Sequence, residues 1–200
     1  DPETGQEMIY DLEGNIVPVD ESNSVSERKA LGAPYPKFYG GLKNTFEYKG
    51  FGLDFLFAFS YGNKIYDDHG KRQMGNMAFG WNQDIRVLER WQQAGDQTDI
   101  PRLSLINNQD INTSRHLYDA SYIRLRNLTL FYNLNSKITD KLKLRQARLF
   151  VAVQNLFVIT QYPGWDPEVN RDGSGAITQG VTYLAPPQAR TFSAGFSIGL

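Results

Sequence analysis

Apolar and polar side chains alternate with period 2 along several stretches of the chain. The clearest stretch is 51–61, FGLDFLFAFSY, and the stretch 38–48, FYGGLKNTFEY, alternates in the same way. Only Lys49-Gly50 separates the two. Such alternation is typical of a β-strand whose two faces meet different surroundings, and Gly supplies the positive φ of a tight turn. The sequence therefore predicts a β-hairpin over 38–61.

Three further stretches, 121–132, 147–157 and 190–200, alternate like the first two and complete a set of about five predicted strands. In 121–132 the alternation changes phase near Asn127. One extra residue in a strand, a β-bulge, would restore the phase. We therefore expect a bulge in the third strand.

The connections between these strands alternate in length. The links 49–50 and 133–146 are short, whereas 62–120 and 158–189 are long. Long and short loops would then lie at opposite ends of the sheet. Inside the first long loop, the spacing of apolar residues over 84–94 predicts an amphipathic helix that ends before Gly95.

Composition excludes several classes of protein. The 200 residues carry 21 Lys and Arg against 22 Asp and Glu, so the net charge of -1 gives no reason to expect a nucleic-acid partner. The absence of cysteine excludes disulfides and thiolate metal sites. No apolar run is long enough for a membrane-spanning helix, but a membrane strand needs an apolar residue only at every second position.

Charge placement distinguishes the two faces of the predicted strands. One face carries no charged residue, and we expect it to contact lipid through Leu53, Phe55, Phe57, Phe59, Leu149, Val151, Phe192, Phe196 and Ile198. The charged residues fall on the opposite face, which would line a wet lumen: Lys43, Glu47, Asp54, Arg124, Arg126 and Arg148. A Lys or Arg facing lipid at mid-bilayer costs roughly 2–4 kcal/mol, which favours this assignment.

A secreted glycan-binding β-sandwich is the alternative, because its strands also have one apolar face. Its strands and loops would normally be shorter. Five strands cannot close a barrel, since single-chain barrels begin at about eight strands. If the chain belongs to a barrel, we expect most of that barrel to lie outside these 200 residues.

Five motifs resemble the C-terminal part of the SusC/RagA family of TonB-dependent outer-membrane transporters. They are LGAPYPKFYGGLKNTFEYKGFGLDFLFAFSYGNKIYD at 31–67, ERWQQAGDQTDIPR at 89–102, DASYIRLRNLTLFYNL at 119–134, LFVAVQNLFVITQYPGWDPEV at 149–169 and PPQARTFSAGFSIGL at 186–200. They follow one another in the family's order. The chain departs from the family at its last residue, where Leu200 stands in place of the usual aromatic residue.

The resemblance implies an all-β fold: about five C-terminal antiparallel strands of a large, plugged transmembrane β-barrel of about 22 strands. Residues 1–37, 62–120 and 158–189 would be extracellular loops. The family also implies an outer-membrane location, import of glycans or peptides, and a SusD-like lipoprotein as partner. TonB would engage a part of the protein outside this chain. No catalytic activity and no cofactor are expected.

Substrate contacts would come from the lumen and the long loops. The candidates are Arg124, Arg126, Arg148, Trp81, Trp91 and Trp165. For the arginines the alternative is ordinary lumen polarity, and for the tryptophans it is packing of the loops.

No metal site is predicted. Asp11, Glu13, Asn15 and Asp20 depart from the spacing of an EF-hand calcium loop. His69 and His116 lie far apart in the sequence, and a zinc site normally needs three or four ligands. The sequence also contains no nucleophile motif or phosphate-binding loop.

Overall fold

The structure is a computed structural model that describes residues 1–19, 28–75, 77, 80–105, 111–171 and 179–200. The chain divides into two compact units. The sheet unit comprises 35–63, 119–169 and 186–200. The loop unit comprises 1–34, 64–118 and 170–185.

Most of the regular structure consists of β-strands. In chain order the strands are β1 (Met8–Tyr10), β2 (Ile16–Pro18), β3 (Phe38–Tyr48), β4 (Phe51–Tyr61), β5 (Lys64–Asp67), β6 (Leu117–Asp119), β7 (Tyr122–Asn133), β8 (Gln146–Thr160), β9 (Val181–Thr182) and β10 (Thr191–Gly199). The helices within the described ranges are α1 (Asp68–Arg72), α2 (Ser136–Lys141) and the 3₁₀ helices Ile85–Glu89 and Ser114–His116. None of the helices in the described ranges has the length and apolar character needed to cross a membrane.

The sheet unit is built on one five-stranded sheet in the order β10-β8-β7-β4-β3, antiparallel at every step. This arrangement confirms the predicted all-β fold class. The other two sheets, β1-β2 and β6-β5-β9, belong to the loop unit apart from Asp119. Within its described residues, the sheet unit therefore lacks the second facing sheet that a β-sandwich requires.

The Lys49-Gly50 turn sets the register of the β3–β4 hairpin. Both residues have positive φ, 48° at Lys49 and 87° at Gly50, as a two-residue hairpin turn of the favoured twist requires. Tyr48 consequently pairs with Phe51, and the pairing continues without a break to Phe38 and Tyr61. The predicted hairpin is thus present over its whole length.

The expected bulge lies in β7 at Arg126. Leu56 pairs with Asn127 and Phe57 pairs with Leu125, which leaves Arg126 as the extra residue. The register of β8 shifts at the same level, and Asn155 there has a φ of 51°. Because both strands adjust together, the alternation of faces continues beyond the bulge, and β8 runs on to Thr160 rather than ending at 157.

Cross-strand pairing defines two faces of the sheet. The apolar face consists of Phe38, Gly40, Leu42, Asn44, Phe46, Tyr48, Phe51, Leu53, Phe55, Phe57, Phe59, Tyr61, Ile123, Leu125, Leu128, Leu130, Tyr132, Ala147, Leu149, Val151, Val153, Phe157, Ile159, Phe192, Ala194, Phe196 and Ile198. Along these five described strands it includes no Asp, Glu, Lys or Arg. The opposite side, called the polar face, carries all the charged strand residues, among them the pair Lys43 and Asp54 at 3.5 Å.

The loop unit is more ordered than its sequence suggested. β5 pairs in parallel with β9, and Met74, Val87 and Ile100 form a small buried cluster. The helix predicted over 84–94 is wrong: only the 3₁₀ turn Ile85–Glu89 forms. The chain becomes extended at Arg90, where the Trp91 amide donates to the Ile100 carbonyl at 2.9 Å. This tertiary hydrogen bond takes the place of the next helical turn.

We predict that Gly52→Ala destabilises the sheet unit. A Cβ at Gly52 would overlap the ring of Phe131, which is buried against this glycine on the polar face. Overpacking of this kind costs about 1–3 kcal/mol. The measurement is the unfolding temperature of the full-length protein in detergent, followed by heat-modifiable electrophoretic mobility. Gly41→Ala is the milder comparison: its Cβ would lie 3.1 Å from the Phe57 carbonyl oxygen, a tight contact, whereas the Gly52 Cβ would lie 1.9 Å from an atom of the Phe131 ring. Equal unfolding temperatures for the two variants would contradict the prediction.

Candidate functional site

Two arginines of β7 and two carboxylates of the following loop form an ionic cluster on the polar face. Arg124 pairs with Asp166 at 2.6 Å between a guanidinium nitrogen and Oδ1. Arg124 and Arg126 both pair with Glu168. The Tyr122 hydroxyl also donates to Glu168, at 2.5 Å. The side chains of Arg124 and Asp166 are only 3% and 2% exposed, so water screens this pair very little.

Asp166 connects three parts of the sheet unit. Besides Arg124, its Oδ1 accepts the Glu168 amide at 3.0 Å, which closes a turn within the loop. Its Oδ2 accepts the Gln188 amide at 2.9 Å, just before β10 begins. Each oxygen of the buried carboxylate therefore has a donor, as a charged group in a dry site requires.

Local backbone geometry brings the members of the cluster together. The bulge adds Arg126 beside Arg124, so both guanidinium groups reach Glu168. At the matching irregularity of β8, the Asn155 amide group donates to the Ala189 carbonyl at 3.0 Å. This bond holds the segment that also supplies the Gln188 amide. Removing one partner from a buried ion pair typically costs about 3–5 kcal/mol, so the cluster fixes the loop strongly.

The loop held by this cluster, residues 161–169, presents an aromatic side chain. Trp165 precedes Asp166 and is 69% exposed. Tyr162, in contrast, is buried, and its ring lies against Gly164 so closely that a Cβ there would collide with it. The loop is therefore anchored on both sides of an exposed indole.

The other predicted site residues lie in separate surroundings. Arg148 stacks on the Phe131 ring, with its guanidinium carbon 3.4 Å from the ring centroid. In the sheet it lies opposite Asn133, at the far end of β7 from the cluster. In the loop unit, the guanidinium carbon of Arg72 lies 5.6 Å from the ring centroid of Trp81 and 5.3 Å from that of Tyr183. Of the six candidates, the structure brings together only Arg124, Arg126 and the loop of Trp165.

Trp91 holds the beginning of the chain to the loop unit. Its indole nitrogen donates to the Pro2 carbonyl at 2.9 Å, and its ring covers Gly5. It also lines a polar cleft of about 1290 Å³, together with Glu7, Arg86 and Tyr118 among others. Trp91 therefore has the packing role that the sequence left open. Direct contact between Trp91 and a substrate stays a prediction.

Sequence reasoning missed Asp166 and Glu168 as functional residues. In the sequence they are two carboxylates separated by one residue, a pattern too common to distinguish them from other acidic residues. The available signal was the pair Arg124 and Arg126, since arginines that become buried need carboxylate partners.

Among the residues considered for metal binding, Asp11 and Asn15 bind each other. Both Asp11 oxygens accept from Asn15, at 2.7 Å from its amide and 2.9 Å from Nδ2. Asp20 lies outside the described residues. Across the part of the chain that the structure describes, no group of three His, Asp or Glu side chains is placed to hold a metal ion.

A second buried polar group lies in the loop unit. Lys71 is 3% exposed and contacts Asp68 at 3.0 Å and the Asn112 side-chain oxygen at 2.8 Å. His116 is 5% exposed. Burial and the neighbouring cations Arg115, Lys71 and Arg86 lower the pKa of His116 to about 4, against an opposing effect of Asp68. The imidazole is therefore neutral at neutral pH.

Comparisons with known proteins agree with this architecture. The chain is 34% identical to TonB-dependent receptor P3 of Formosa agariphila over 99% of its length, and 26% identical to TonB-dependent receptor SusC of Bacteroides thetaiotaomicron over 96%. It spans only 19% and 17% of those two relatives. The solved RagAB peptide transporter matches 99% of the chain with a TM-score of 0.79 and 26% identity, over 21% of that structure. No protein-family model matches the chain.

The fold and these relatives indicate the class: over nearly its whole length the chain is similar to a segment of TonB-dependent receptors, and this likeness supports the predicted location in the outer membrane. Within that class it is a SusC/RagA-like C-terminal segment, as its motifs indicated. The similar proteins are receptors and transporters, which supports the expectation that the chain is not an enzyme.

We predict that the loop unit loses stability as the pH falls from about 6.5 to about 4. The unfolded chain binds a proton at His116 in this window and the folded chain does not, so unfolding is favoured by up to about 3 kcal/mol. Hydrogen exchange of the amides in 111–118, corrected for intrinsic rates, measures the loss in the full-length protein. His116→Gln should remove this pH dependence. A variant that keeps the wild-type dependence would contradict the assignment to His116.

Proposed function

We propose that the chain forms five neighbouring strands and three extracellular loop regions of a TonB-dependent importer. The importer would take up a glycan or a peptide together with a SusD-like lipoprotein. TonB would drive it through a part of the protein outside this chain. The observation that carries the proposal is the apolar face, which is uncharged across all five strands and is mostly exposed or half-exposed, with only Leu125 and Ala147 buried.

The exposure of the apolar face supports lipid as its surroundings. Phe51, Phe192 and Phe196 are 66–70% exposed, and Tyr48 at the hairpin turn is 72% exposed. An apolar surface of this extent is rare on a soluble monomer. Exposing this surface to lipid carries no free-energy penalty, and the charges of the polar face would remain in a water-filled lumen. The lipid contacts would be the predicted ones: Leu53, Phe55, Phe57, Phe59, Leu149, Val151, Phe192, Phe196 and Ile198.

The sheet edges support a larger barrel around this segment. β3 and β10 each pair on one side only within the described residues. An unpaired edge in lipid leaves backbone groups without hydrogen bonds at several kcal/mol each. The remainder of the barrel would supply strands to both edges, and the polar face would look towards its lumen and plug.

Connection lengths support the orientation. β3 and β4 are joined by a two-residue turn and β7 and β8 by a short segment containing α2. These would lie at the periplasmic end. The segments 1–37, 62–120 and 158–189 leave the opposite end and would be extracellular. The loop unit would then be the part of this chain nearest to a surface lipoprotein and to incoming substrate.

The relatives support an importer without deciding its cargo. The solved neighbour is named a peptide transporter, and the sequence relatives are named receptors. Peptide and glycan therefore both remain in the proposal, with the arginines and tryptophans named above as candidate contacts.

Cell fractionation tests the membrane assignment directly. We expect the full-length protein that contains this chain to sediment with the outer membrane and to require detergent for extraction. Recovery of folded full-length protein from the soluble fraction would refute the barrel. An uptake assay with and without the lipoprotein, using a peptide pool and a glycan pool, then tests the cargo.

We predict that Phe57→Arg blocks assembly far more than Ala58→Arg does. The two residues are adjacent in β4, with Phe57 on the apolar face and Ala58 on the polar face. An arginine facing lipid near mid-bilayer costs roughly 2–4 kcal/mol, whereas one facing the lumen meets water. The measurement is the amount of heat-modifiable, folded protein in the outer membrane. Similar yields for both variants would show that the lipid and lumen faces are wrongly assigned.

A further inference from the structure

Within the ionic cluster, the positive and negative charges balance one another. Arg124 and Arg126 carry two positive charges, and Asp166 and Glu168 carry two negative ones. They are linked in the order Asp166, Arg124, Glu168, Arg126. Arg124 is only 3% exposed, so a passing ligand cannot reach its guanidinium. Arg124 thus holds the loop. Arg126 is 33% exposed, but it already pairs with Glu168. The principal contact with cargo would therefore come from a different group.

Trp165 is the group that this loop exposes. Its neighbour Asp166 is tied to Arg124, to the Glu168 amide and to the Gln188 amide. The backbone on its other side is packed over the buried Tyr162. The indole itself remains 69% exposed. A large aromatic surface whose backbone is already ordered binds with little further loss of entropy.

We propose that Trp165 is a cargo-contact residue for the pyranose ring of a glycan, and that Arg124 and Arg126 are positioning residues that hold its loop. This rests on the proposed function, because it places the polar face in the lumen. The sugar assignment follows from the site's chemistry. The indole offers a flat apolar face, and the adjacent charges are neutralised in pairs, which leaves the cluster no charge for peptide termini.

The test uses the full-length protein in detergent, labelled with 5-fluorotryptophan. The Trp165 fluorine resonance is assigned by its loss in Trp165→Phe. Two probes are titrated separately: a mixture of glucose hexasaccharides with α-1,4, β-1,3 and β-1,4 linkages, and a tryptic digest of casein. We expect the hexasaccharides to shift the Trp165 resonance, and the digest to leave it unchanged. Trp165→Ala should weaken hexasaccharide binding about tenfold, the effect of losing one good contact.

The positioning role has its own readout. Arg124→Met should narrow the Trp165 resonance, because the loop becomes mobile, and weaken hexasaccharide binding about as much as Trp165→Ala does. Arg124→Lys should restore part of both. Lys43→Met is the matched control: Lys43 is another cation on the polar face that pairs with a carboxylate, Asp54, outside the cluster. It should change neither the linewidth nor the binding.

Each remaining outcome decides against part of the proposal. No shift with either probe overturns the contact role of Trp165, and a shift with the digest alone overturns the sugar assignment. An unchanged linewidth in Arg124→Met overturns the positioning role. If Arg124→Met does not fold, Arg126→Met replaces it, because it removes one partner of Glu168 and leaves the buried Arg124–Asp166 pair intact. Failure of the proposed function would be seen separately, as soluble protein in the fractionation.

Discussion

The sheet depends on keeping a period-2 pattern in phase across five strands. A slip of one residue would turn every charged side chain of a strand to the apolar face. β7 contains such a slip in its sequence, and the extra residue Arg126 together with the shift in β8 absorbs it. The apolar face therefore stays free of charge on both sides of the bulge. Without this correction, either Arg124 or the charged residues of the neighbouring strands would face the wrong medium.

The same bulge creates a need for counterions. It places two guanidinium groups close together where a loop covers them, and buried cations are tolerated only with paired carboxylates. Asp166 and Glu168 meet this need from the loop itself. The ionic cluster is thus the consequence of a register correction, and it fixes the position of 161–169 against β7 and against the start of β10.

The strands could be predicted because their signal is local. Alternation over 38–61 and the phase change near Asn127 lie within single stretches of sequence. The ionic cluster could not be predicted, because Arg124 and Asp166 are joined by folding and no spacing rule relates them. The predicted helix over 84–94 failed for a similar reason. Its apolar spacing was real, but the Trp91 amide bonds to Ile100, and a long-range partner overrode the local preference.

Within the loop 161–169, the groups that anchor the loop differ from the residue that we propose contacts the cargo. The anchors are the side chains of Asp166 and Glu168 and the backbone amide of Gln188, whereas the Trp165 side chain takes no part in these bonds. The anchoring bonds named here therefore do not depend on the side chain at position 165. If the polar face lines a lumen as proposed, exposed residues such as Trp165 would contact the cargo, while the buried ion pairs would hold the loop in place.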